Sequence, residues 1–165
     1  MGLTGFDAVS AAIIAKLQAD MPAKLTALNS EYDDGLALAA PSAASYFDYV
    51  LDPFTLRCDW PAVFVLDDGD EEDAEQSNFE TRVMHYGVIV DFILRGTDPA
   101  DLTHRLRRFR RAAVEILTVR HALAPACTNC TYQRGGGAQF TDPASGDLLQ
   151  DLAARFVVTT AEAMP

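Results

Sequence analysis

A handful of side-chain groupings in this 165-residue chain have the types and spacing that chemistry uses. Cys127 and Cys130 form a C-x-x-C, the spacing of a redox dithiol or of half a zinc site. Zinc needs two further ligands, and the available recruits, His121 and Cys58, stand at no recognised spacing. A redox pair opens a helix after a strand. Here the segment runs on into TYQR and then Gly135-Gly136-Gly137, the pattern of a strand followed by a turn. The triglycine lacks the lysine and helix start of a phosphate-binding loop. The reading is ordinary buried thiols, with no metal and no cofactor.

The second grouping is acidic: Asp67, Asp68, Asp70, Glu71, Glu72, Asp73 and Glu75 within DDGDEEDAEQSN. Asp68, Asp70 and Glu72 alternate like part of a calcium cage. The glycine stands at 69, however, and no glutamate follows at the EF-hand distance. Like charges this dense repel one another, which predicts a mobile, solvated loop over 67–78 between two paired strands. His85, His104 and His121 are scattered without a ligand rhythm, and His85 reads as a half-buried structural residue. No G-x-S-x-G, P-loop, H-E-x-x-H or paired-carboxylate motif is present. The chain is read as a non-enzyme with no catalytic residue.

The elements that carry these groups follow from periodicity. TRVMHYGVIVDFILRG alternates at period two. Met84, Tyr86, Val88, Val90, Phe92 and Leu94 make one wholly apolar face; His85, Gly87 and Asp91 mix with Val83, Ile89 and Ile93 on the other. After a turn at Thr97-Asp98-Pro99, Leu102, Leu106, Phe109, Ala113 and Ile116 recur at helical spacing. Phe6, Val9, Ile13, Leu17 and Met21 mark a first helix over 6–30, capped by Thr4 or Asp7, with Pro22 inside it. Ala62–Leu66, Gln139–Thr141 and Leu148–Thr160 read as strands, the last a candidate edge. The order α–β–β–α–β–β predicts one α+β domain over 1–165: a mostly antiparallel sheet with helices against one face.

Two further stretches are candidates for contact. Residues 32–60 have turn signals and many aromatics, including Tyr46, Phe47, Tyr49 and Phe54. They read either as a loop folded over the core or as an arm reaching a neighbouring subunit. The second helix carries Arg105, Arg107, Arg108, Arg110 and Arg111, with Arg111 and Glu115 at i, i+4. These arginines read either as a solvated face or as an inter-subunit surface, where Arg107, Arg108 and Arg111 would meet carboxylates such as Asp70, Glu71 and Glu72. Overall charge weighs against a DNA-binding helix. A net charge of −11 and a pI near 4.5 oppose phosphate neutralisation. No apolar run reaches a bilayer-spanning length, so no membrane partner is expected. The N-terminus lacks the basic leader of a signal peptide, and three cysteines suggest reduced thiols.

Taken together, an opening helix DAVSAAIIAKLQADMPA, a loose D-G-L-x-L-x-x-P segment, P-A-V-F-V, an acidic loop, a long strand and a helix entered through DPADLTHRLRRFRRAAVEIL resemble the tail terminator (tail-completion) proteins of long-tailed bacteriophages. The resemblance lies in the order of elements and in texture. It implies an α+β virion subunit, made in the host cytoplasm, that assembles as a six-fold ring. Such a ring caps the tail tube and docks to the head connector or neck protein. DNA would pass through its lumen without specific binding, and an acidic wall would repel the genome and let it slide. The alternative is a head–tail adaptor or other small tail component acting as a protein-binding module.

Overall fold

The computed structural model describes residues 5–49, 52, 56, 58–142 and 145–163. Helix α1 spans Phe6–Tyr32, and Val9, Ile13, Leu17, Met21, Leu25 and Leu28 form its buried stripe. Each of these side chains contributes about 1.5–3 kcal/mol when taken from water, which outweighs the backbone bond lost at the internal Pro22. The helix starts at Gly5 without a side-chain cap; the expected cap Thr4 lies outside the described residues. It ends where Asp33 turns left-handed at φ 44°.

A short strand β1, Tyr46–Phe47, lies parallel to β2, Ala62–Glu72. β2 then pairs antiparallel with β3, Thr81–Gly96. The alternation of β3 is as its sequence predicts: the even face from Met84 to Leu94 is buried, and the odd face from His85 to Ile93 is half-exposed. Helix α2, Pro99–Leu117, begins at Asp98, whose carboxylate accepts from Ala100 N at 2.9 Å. It packs Leu102, Leu106, Phe109, Ala113 and Ile116 onto the even face, with the Phe109 and Phe92 rings stacked at 5.8 Å. β4 (Asn129–Gly136), β5 (Gln139–Thr141) and β6 (Leu148–Ala163) complete the sheet.

The strand order is β1-β2-β3-β6-β4, with β5 extending the β4 edge along β6. All pairings but β1–β2 are antiparallel, and both helices share one face, giving the expected α+β sandwich. Two details correct the sequence reading. The last strand is interior, because β6 pairs with β3 over its full length and with β4 and β5 on its other side. Its Phe156 and Val158 are buried under the helices, which a central position supplies and an edge does not. The acidic block is also no plain loop. β2 continues through Glu72, with Asp70, Glu71 and Glu72 laddered against Tyr86, His85 and Met84 after a bulge at Asp67/Asp70. Backbone pairing to the long β3 overrides the mutual repulsion of exposed carboxylates, because ionic repulsion is weak in water.

Candidate assembly surfaces

The β2–β3 hairpin projects as an acidic arm whose turn is built from its own side chains. Asp73 Oδ1 accepts from Glu75 N and Gln76 N, both at 3.1 Å, and Asn78 Oδ1 from Glu80 N at 2.8 Å and Thr81 N at 2.9 Å. These bonds hold the Asp73 carboxyl below its ordinary range, the Gln76 amide first and the His85 ring second. His85 is half-buried between Thr159 at 3.0 Å and Asp73 at 3.2 Å, the structural role its sequence context suggested. Glu72 is bridged by Arg82 at 3.1 Å. Between Asn78 and Glu80 the turn presents Phe79, 102% exposed. Gly69 opens the bulge at φ 99°, and Gly87 opposite it leaves room for the Asp68 carbonyl, which would lie 3.0 Å from a Cβ there.

On the face away from the helices, two arginines meet midway along β6. Arg134 of β4 stands in register with Arg155 of β6. Like charges directly opposite are unfavourable. Arg155 is offset by Asp68 at 2.7 Å, whereas Arg134 is exposed and makes no ion pair among the described residues. The two arginines, Gly135–Gly137, Ile89, Ala153 and Asp151 line an open groove of about 400 Å³. Nearby on this face Asp91 lies between Phe64 and Ala153. Its Oδ1 is buried with no partner among the described residues. Burial first, then the Asp151 charge, pushes its carboxyl up to about 7.

The α2 arginines are distributed differently from either expectation. Arg108 is 3% exposed, which corrects its reading as a solvated or interfacial side chain. It donates to the Leu36 carbonyl at 2.7 Å, pairs with Asp34, and lies 4.4 Å from the Tyr32 ring centroid. Arg111 pairs with Glu115 at 2.7 Å and Glu31 at 2.9 Å, and Glu115 takes Lys24 at 3.1 Å. Arg105 pairs with Asp101 at 2.7 Å. Arg108 and Arg111 clamp the end of α1 and the segment after it, because α2 sets this basic flank against Glu31–Leu36. Arg107 alone of the three candidates remains exposed without an ion pair among the described residues. The hairpin carboxylates Asp70, Glu71 and Glu72 meet none of these arginines within the chain.

The described part of the 32–60 segment lies on its own chain. Ser45 donates to the Asp59 carbonyl at 2.6 Å and Asn29 ties down Leu38 through both of its amide atoms. Tyr46 packs on the core, its hydroxyl pushed up to about 12 by burial. Phe47 stacks on Phe64 at 5.2 Å, and Tyr49 stands 55% exposed at its edge, 6.1 Å from Phe47. Phe54 lies outside the described residues.

Cys127 and Cys130 are buried free thiols, pushed up to about 11 and about 12 by burial. Such groups are poor thiolates and poor metal ligands at neutral pH. Among the described residues no cluster of three or more His, Cys, Asp or Glu side chains could hold a metal, and no helix is long and apolar enough to cross a membrane. A groove of about 440 Å³ runs between α1 and α2, lined by Ala19, Ala23, Ile116 and Val119 with Lys16 and Lys24 at its rim.

Sequence reasoning missed Phe79, Arg134 and Arg155. A lone aromatic in the polar run QSNFET was the available signal for Phe79; nothing local marks the two arginines as cross-strand neighbours. No family model and no curated protein matches the chain. Among solved structures it is similar to a chain of the "Virion of native gene transfer agent (GTA) particle", with a TM-score of 0.48 and 12% identity over 91% of this chain and 93% of that one.

Proposed function

We propose that the protein is a structural component of a phage-like virion, a tail terminator that assembles as a ring, caps the tail tube and docks to the head connector. The observation that carries the reading is the charge-divided two-layer subunit. One end of its sheet carries an acidic, Phe79-tipped hairpin, and the far edge strand β4 holds the exposed Arg134 midway along its neighbour β6. A subunit with unlike surfaces on different sides can make head-to-tail contacts, and such contacts close into a ring when the rotation between neighbours closes. The resemblance of the sequence to tail terminator proteins is a second support for this reading. In this reading the work is geometric. One face of the ring copies the contact a tube subunit makes and binds the last tube ring; the other face lacks that copy and stops growth. The protein then has no catalytic step and takes no cofactor. The net charge of −11 suits a lumen through which DNA slides.

The test is the solution mass by light scattering, with negative-stain images of the same protein alone and with tail tubes. A closed ring seated on tube ends is expected, six copies being the proposed number. A monomer or dimer that ignores tubes would overturn the terminator reading in favour of an adaptor module.

A further inference from the structure

The Phe79-tipped hairpin and the Arg134–Arg155 groove are complementary in three respects. The hairpin ends in a fully exposed aromatic ring flanked by the exposed Glu75 and Glu80. The groove has an apolar floor, Ile89 and Ala153, between two guanidinium groups, the Asp151 carboxylate and a triglycine wall without side chains. The hairpin also carries more carboxylates than its own Arg82 can neutralise, while in the groove Arg155 is paired with Asp68 and Arg134, opposite it, makes no ion pair among the described residues. Arg134 gains when a carboxylate enters, because planar guanidinium groups bind carboxylates well and the added negative charge offsets the repulsion between the two arginines.

The hairpin of the same chain cannot fill the groove. Its tip lies beyond the Thr81–Ala163 pair, and the groove's arginines lie at Arg155, eight residues down β6, roughly 26 Å away at strand rise. β2 and β4, on the two sides of the β3–β6 pair, both carry bulges, at Asp67/Asp70 and at Tyr132/Arg134. Bulges discourage strand addition at an edge, so the complementarity is one of side chains and not of a shared backbone ladder.

We propose that the Phe79-tipped acidic hairpin of one copy of this chain docks in the Arg134–Arg155 groove of a second copy. Phe79 lies over Ile89 and Ala153, and the carboxylates beside it pair with Arg134. The contact is heterologous: each copy offers a hairpin to one neighbour and a groove to another. It deepens the ring reading by naming the seam, and it rests on that reading only for the closure of the ring.

Two variants test it by sedimentation velocity. Arg134→Glu blocks the groove and keeps the hairpin; Phe79→Ser with Glu80→Lys blocks the hairpin and keeps the groove. All three side chains are exposed, and circular dichroism melts overlaying wild type would verify the folds. The wild type is expected to assemble, and to loosen as salt screens the ionic part. Each variant alone should sediment as a 17.9 kDa monomer. An equimolar mixture of the two should form a dimer and stop there, because one intact hairpin still meets one intact groove. Wild-type chains that stay monomeric at high concentration overturn the proposal, as does a mixture no heavier than its parts. Rings that persist in both variants overturn this seam while leaving the terminator reading intact; assembly through this seam that never seats on tail tubes overturns the terminator reading and leaves the seam.

Discussion

The guanidinium of Arg108 lies 4.4 Å from the centroid of the Tyr32 ring, beneath the segment that follows α1. It joins the end of one helix to the middle of the other, and it is the only charged residue among the largely buried side chains of α2. The same stack carries Arg111 at 5.5 Å from the ring. A cation between an aromatic face, a carbonyl and a carboxylate is well compensated, but only while all three partners remain.

Replacing Arg108 by Leu therefore leaves the Leu36 carbonyl and Asp34 without their donor. The expected loss is about 2–4 kcal/mol in urea unfolding. Arg107→Leu, one residue away on the exposed side, should change stability by less than about 0.5 kcal/mol. Equal effects at the two positions would remove the clamp from the account.

Asp91 makes stability depend on pH. Its carboxyl is pushed up to about 7 in the folded chain by burial and by Asp151, against about 3.9 in an unfolded one. Between these values the folded state holds a proton that the unfolded state has released, so this group's contribution to stability declines as pH rises from about 4 to 7. The whole decline amounts to at most about 4 kcal/mol. Asp91→Asn should flatten that part of the stability–pH curve and raise the melting temperature at pH 8. A variant with the wild-type slope would show that the carboxyl is hydrated in solution.

The α2 start tests a local signal. Asp98→Ala removes the acceptor for Ala100 N and should cost about 1 kcal/mol. That corresponds to a fall of roughly 2–4 °C in Tm for a chain of this size. Asp98→Asn should retain most of the stability, since the amide oxygen can accept the same bond.

The three thiols should separate by rate. Cys127 and Cys130 are buried and pushed up to about 11 and 12, so little thiolate exists at pH 8. Cys58 is half-buried and raised less far, by burial first and then by Asp59. A disulfide reagent at pH 8 should label Cys58 first and the other two only on unfolding. Rapid labelling of Cys130 in the folded chain would reopen a redox role for the C-x-x-C.

The features legible in the sequence are local ones. The period-two run from Met84 to Leu94 specified which face of β3 is dry, because adjacent side chains on a strand must point to opposite sides. The spacing of Leu102, Leu106 and Phe109 specified the buried stripe of α2 for the corresponding helical reason. Asp98-Pro99 marked its start, since a cap acceptor and a fixed φ act within a few residues. Features that depend on distant partners emerge with the fold. The fold set β6 between β3 and β4, extended β2 into a run of carboxylates, and turned Arg108 inward to Tyr32, a residue far away in the chain. It also brought Arg134 opposite Arg155 while leaving Phe79 bare at the hairpin tip. Each of these follows from pairings between segments remote in sequence, whose free energy no short window contains.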